Sequence, residues 1–179
     1  MTAVVIDTNV LLVANGSHQG ISLACRAVCI AALHARQKSG VVAIDDAYRI
    51  LREYHKKTQP NQPKGVGDVF LKWLMQNVAN ELRVHRITIT ETGPDHFEEF
   101  PDPALQAEFD APDRKFAAVA HAHRDKPPIW QAADSKWLNW WPQLRSCGVE
   151  VKFLCPADVL SFHKASFPDR PVPELPMEA

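Results

Sequence analysis

Val4-Val5-Ile6-Asp7-Thr8-Asn9-Val10-Leu11-Leu12 is the stretch on which the fold turns. It is apolar and rich in β-branched residues except at Asp7-Thr8-Asn9, and it reads as a buried strand reaching a polar edge. A carboxylate inside such a run is costly unless paired, which sets Asp7 among the functional candidates. Outward from it, residues 16–20 form a loop. Residues 21–38 carry Leu23, Ala24, Ala27, Ile30, Ala31 and Leu33 at helical spacing, with Gly40 as a stop. Val41-Val42-Ala43-Ile44 is a second apolar strand that runs through Asp45-Asp46 into a helix over 47–57. Strand, helix, strand, helix implies parallel pairing with right-handed crossovers, so the expected class is α/β.

Further along, 59–67 is a Pro/Gly/Gln/Lys loop, 69–82 returns to helical spacing, and 84–90 alternates weakly as a strand. Residues 93–112 hold four prolines and no long apolar pattern, which reads as a surface insertion. A helix over 113–123, a strand over 129–133 ending at Asp134, a helix over 135–144, a strand over 149–154 and a helix over 156–162 follow. Pro168, Pro171, Pro173 and Pro176 then impose an extended tail. The expected organisation is one domain over 1–165, with an acidic, proline-containing insertion at about 91–112, and a proline-rich tail over 166–179.

The 179 residues contain 20 Lys and Arg against 21 Asp and Glu, a formal charge of −1, which argues against a generic basic nucleic-acid binder. No apolar run approaches the roughly 18 residues of a membrane span. The opening residues lack the basic start and cleavage site of a secretory signal, so a cytoplasmic protein with no membrane partner is expected. None of the four cysteines forms a Cys-x-x-Cys pair, and Cys25 and Cys29, at i and i+4, read as buried small hydrophobes.

Acids stand where strands finish or helices begin: Asp7, Asp45, Asp46 and Asp134. In open α/β sheets ligands bind outside the carboxyl ends of the strands. Carboxylates converging there repel unless protonated or neutralised by a cation, and their hard oxygens suit Mg²⁺ or Mn²⁺. The opening stretch resembles the first strand of PIN-domain nucleases, with its Asp-x-Asn signature. Residues 44–54, Ile44-Asp45-Asp46-Ala47-Tyr48-Arg49-Ile50-Leu51-Arg52-Glu53-Tyr54, are similar to that family's second strand and helix, the acid being Glu53. Asp113-Arg114-Lys115-Phe116-Ala117-Ala118-Val119-Ala120 resembles the third acidic position, and Ala132-Ala133-Asp134-Ser135-Lys136-Trp137 the fourth. The likeness covers residues 2 to about 162. The opening motif is moderately specific, while the others persuade by their order.

The resemblance implies a metal-dependent ribonuclease on a three-layer α/β/α sandwich with a central, mainly parallel sheet. Asp7, Glu53, Asp113 and Asp134 would be catalytic and hold one or two Mg²⁺ or Mn²⁺ ions, with Asn9, Asp46 and Ser135 in support. Arg49, Arg52, Lys56 and Lys57 would guide an RNA backbone. Toxin, RNA-processing and defence roles, an inhibitory or regulatory protein partner and a homodimer all stay open. Each acid also has a structural explanation: Glu53 as the middle of an ion-pair ladder with Arg49 and Lys57, Asp113 as part of a helix start, and Asp45 or Asp46 as a cap. Trp137, Trp140 and Trp141 offer either a base-stacking face or packing, and packing is favoured. Two other functions compete. A haloacid-dehalogenase-like phosphatase also begins with strand and Asp-x-Asp, but Asn9 cannot be its general acid. A non-catalytic partner-binding scaffold draws on the eight acids, and no Lys or Arg, between Ile87 and Asp113.

Overall fold

The computed structural model describes residues 2–177. Residue 1 of the expected domain and residues 178 and 179 of the expected tail lie outside the described residues. In chain order the elements are β1 (Ala3–Ile6), α1 (Thr8–Asn15), α2 (Leu23–Ser39), β2 (Val41–Asp45), α3 (Arg49–Lys57), α4 (Val66–Asn77) and β3 (Val84–Ile87). There follow β4 (Glu91–Gly93), β5 (His96–Phe97), α5 (Pro103–Glu108), a 3-10 turn (Ala111–Asp113), α6 (Arg114–Ala122) and β6 (Ile129–Gln131). A second 3-10 turn (Ser135–Asn139), α7 (Trp141–Ser146), β7 (Val151–Phe153) and α8 (Pro156–Ser166) complete the chain. Five parallel strands in the order β3-β2-β1-β6-β7 form the central sheet, flanked by helices as the α/β/α reading expects.

Strand order fixes where a ligand site belongs. The chain leaves β1 for β2 on one side, while β6 joins β1 on the other, so the order reverses between β1 and β6. At such a switch point the connections leave in opposite directions and open a crevice beyond the carboxyl ends of the two strands. Ile6 ends β1 and Gln131 ends β6, their registers tied through Val5–Ile129 and Ile6–Trp130.

The opening stretch corrects its expected reading. It is not one strand but β1 followed at once by a helix: Asp7 is extended and its carboxylate accepts the Asn9 N–H at 2.8 Å, starting α1 at Thr8. An acid in that position caps orphan N–H groups and complements the helix dipole. Val10, Leu11, Val13 and Ala14 are all buried, so burial nearly all round hides the helical period. Gly16 ends the helix at φ +72, a left-handed position that suits glycine. Gly67, in α4, lets that helix approach α1 so closely that a Cβ would stand 2.3 Å from the Leu11 carbonyl oxygen.

The insertion is likewise more built-in than a surface loop. Phe97, Phe100, Leu105 and Phe109 are buried, and Phe109 stacks on Trp140 with centroids 3.9 Å apart while meeting Trp137 edge-on at 5.1 Å. Trp137 and Trp140 are therefore spent on packing, as favoured, and not on an open stacking face. Buried Arg114 pins the segment further, donating to the Phe109 and Asp95 carbonyls. On α2 the buried line is Cys25, Cys29 and Leu33, whereas Leu23 is 85% exposed. Cys25 is buried as expected but is also bonded to Cys155 in a disulfide joining α2 to the start of α8, 130 residues away. Beyond Ser166 the chain turns over 168–170, where the Arg170 N–H donates to the Phe167 carbonyl at 3.0 Å, and 171–177 follow without regular structure, the Glu174 carbonyl accepting from Trp141 Nε1 at 3.1 Å. Among the described residues, no helix is long and apolar enough to cross a membrane.

Candidate active site

Three acids reach the switch point from three elements. Asp7 follows β1, Asp134 follows Ala132-Ala133 beyond β6, and Asp113 stands at the start of α6, which packs on β1, β2 and β6. Asp7 is 4% exposed. Burial pushes its carboxyl up to about 7, the Asn9 N–H pulls the other way, and the charges of Asp134 and Glu53 push it further up. The Gln131 amide also favours the Asp7 anion, without a well-formed hydrogen bond from Nε2. Burial likewise raises the Asp113 carboxyl, to about 8, reinforced by Asp7 and Asp134 and opposed by Lys115. Asp134 is raised by burial, against its own hydrogen bond from the Lys136 N–H at 3.1 Å.

These shifts record proximity as well as burial, because Asp7 feels Asp134 and Glu53, and Asp113 feels Asp7 and Asp134. Asp113 forms no capping hydrogen bond with α6, so the helix-start explanation does not account for its carboxylate. Asn9 Oδ1 is buried with no hydrogen-bond partner beside the same strand end. The orphaned acceptor and the raised carboxyls are all oxygen donors, of the chemical type that suits Mg²⁺ or Mn²⁺. The carboxylates are not drawn into a tight cluster. Among the described residues, the group of three potential ligand atoms within 4.8 Å of one another is Cys25, Cys29 and Cys155, of which two are in the disulfide.

Glu53 faces the same region from α3 but is engaged. Its Oε1 accepts the Thr8 hydroxyl at 2.6 Å, and its Oε2 takes the Lys115 ammonium in an ion pair. The ladder with Arg49 and Lys57 therefore does not form: Arg49 pairs with Asp45 at 3.4 Å and with Glu91 of the insertion at 3.1 Å. Tyr54, next to Glu53 and fully buried, donates its hydroxyl to the Ile6 carbonyl and so fastens α3 to the end of β1. Of the supporting residues, Ser135 is buried just after Asp134, whereas Asp46 is exposed and accepts from Thr88 at 2.6 Å. Asp45 is the cap of α3, taking the N–H groups of Arg49 and Ile50 at 2.9 Å each. Arg52, Lys56 and Lys57 are exposed along α3, while Arg49 is occupied by acids.

Sequence reasoning singled out neither Lys115 nor Thr8. Both had a signal: Lys115 is a cation inside the apolar run that follows Asp113, and Thr8 lies between Asp7 and Asn9. Tyr54 and Gln131 read only as apolar-face or strand residues. No protein-family model, curated protein or solved structure matches the chain.

Proposed function

We propose that this protein is a divalent-metal-dependent ribonuclease, the activity its PIN-like motifs imply. The observation that carries this reading is the arrival of Asp7, Asp113 and Asp134 at one switch point, all three raised by burial and Asp7 and Asp113 further raised by acids of the same group. Buried acids that raise each other's proton affinity call for a positive charge. Mg²⁺ or Mn²⁺, when bound, supplies Lewis-acid polarisation of a phosphoryl oxygen and a water acidic enough to attack near neutral pH.

The chain's own part is orientation and charge. Asp7 is fixed by the Asn9 N–H and Asp134 by the Lys136 N–H, so both carboxylates are presented in set directions. Asn9 Oδ1 offers an additional neutral oxygen. Arg52, Lys56 and Lys57 provide an exposed basic edge on α3 for a phosphate backbone, whose attraction weakens as salt rises. Lys136 is paired with Asp110, so the acidic insertion already neutralises one cation next to Asp134.

Labelled single-stranded RNA incubated with the protein and Mn²⁺ tests the proposal. Cleavage is expected in wild type and a loss of at least about 100-fold in Asp7→Asn or Asp134→Asn. Full activity in either folded variant overturns the assignment. Failure of wild type to cut any RNA while still binding a protein partner through the acidic insertion favours the scaffold reading.

A further inference from the structure

We propose that Lys115 is a built-in counter-ion of the carboxylate site, which withholds Glu53 from metal coordination and limits the centre to one divalent ion. The inference rests on the reading of Asp7, Asp113 and Asp134 as metal ligands, and it fixes how many ions they take.

Glu53 has two oxygens, and both are committed. Oε1 accepts the Thr8 hydroxyl at 2.6 Å, and Oε2 is paired with the Lys115 ammonium. Thr8 is the first residue of α1 and Lys115 lies in the first turn of α6, so Glu53 on α3 is held by two other helices. Lys115 is equally constrained. It is 7% exposed, and its ammonium also donates to the Pro112 carbonyl, one residue before Asp113. A buried ammonium is retained where paired carboxylate and carbonyl oxygens replace its water, and separating such a pair leaves an uncompensated buried charge.

A two-ion phosphodiesterase centre places its metals about 3.5–4 Å apart and needs carboxylates enough for both. Here a fixed cation stands where the fourth carboxylate would contribute. Lys115 acts on the site twice, by occupying Glu53 and by holding its ammonium on the Pro112 carbonyl, next to Asp113 in the chain. A second divalent ion would have to displace Lys115 from Glu53 and sit beside its charge. Three carboxylates and one neutral amide oxygen remain for a single ion, whose other positions are left to water and substrate. Lys115 is thus a positioning residue, setting the ion count through Glu53.

The test is a Mn²⁺ titration of metal-free protein followed by the electron paramagnetic resonance signal of free Mn²⁺. Wild type is expected to bind one ion per chain and Lys115→Met two, whereas Lys115→Arg, which keeps the charge, stays at one. Thermal melting checks that each variant is folded. If Lys115→Met does not fold, Glu53→Gln serves instead: its Mn²⁺ affinity should stay within about threefold of wild type, against a loss of at least about tenfold for Asp7→Asn. Two ions in wild type, one ion in folded Lys115→Met, or a tenfold loss in Glu53→Gln overturns the inference while leaving the metal site intact. No bound Mn²⁺ in wild type overturns the metal-site reading itself, and this inference with it.

Discussion

Asp45 and Asp68 are as deeply buried as Asp7, yet they live in opposite circumstances. Asp45 takes two backbone N–H groups at the start of α3. Asp68 takes the N–H groups of Gln59, Lys64 and Gly65 and the Asn15 amide, knotting the 59–65 loop to α1 and α4. Burial alone would raise Asp68, but those donors outweigh it and hold its carboxyl below the usual range. Asp7 has one backbone N–H and two acidic neighbours, and Asp113 feels the charges of Asp7, Asp134 and Asp110 against that of Lys115. Burial therefore does not separate them; Asp45 and Asp68 accept several N–H donors, whereas at Asp7 and Asp113 the nearby donors and cations, Lys115 included, do not offset burial and neighbouring acids. A carboxylate that accepts several N–H bonds is part of the scaffold, while one held against its own kind stores repulsion that a cation relieves.

That contrast sets the expected effects of substitution. Asp68→Asn removes an anion from four donors and should cost about 2–3 kcal/mol of stability in denaturant unfolding, with Mn²⁺ affinity unchanged in the folded protein. Asp7→Asn should act in the reverse sense, raising the stability of metal-free protein by about 1 kcal/mol while abolishing cleavage. An Asp7→Asn protein less stable than wild type would place Asp7 with the scaffold acids and break the comparison.

The pH dependence follows with its sign. The native state holds protons on Asp7 and Asp113 up to about 7 and 8, whereas in the unfolded chain these acids titrate near 3.8. Between those limits the native state binds more protons, so metal-free stability falls as pH rises from about 4 to about 8. On the proposed metal-site reading Mn²⁺ would bind the deprotonated acids and restore that stability, so the gain in melting temperature on adding Mn²⁺ should be larger at pH 8 than at pH 6. A gain independent of pH would dissociate metal binding from these two acids. The smallest expected effect is on Asp45→Asn, where a neutral amide oxygen can keep one cap bond to α3 at a cost of about 1 kcal/mol.

Much of the architecture was legible because strands buried on both faces announce themselves, as Val41 to Ile44 does, and because Gly16 and Gly40 punctuate the helices. The α1 helix was not, since Val10, Leu11, Val13 and Ala14 continue the apolar run of β1 without a polar face. The insertion misled through its charge: seven acids drew attention from the four apolar side chains, Phe97, Phe100, Leu105 and Phe109, that bury it. The acids of the site were readable at strand and helix ends, but the partners that sort them were not. The Lys115–Glu53 pair spans 62 residues, and the Cys25–Cys155 disulfide spans 130. Neither leaves a local pattern, because tertiary packing alone brings their elements together.

The most direct test of the central claim is a crystal structure of the protein soaked in Mn²⁺ at pH 8, read by anomalous scattering. The account predicts a peak at the ends of β1 and β6, bound by Asp7, Asp113 and Asp134, with Glu53 still on Lys115. Carboxylates left without a peak at saturating Mn²⁺, or a peak elsewhere on the molecule, would contradict it.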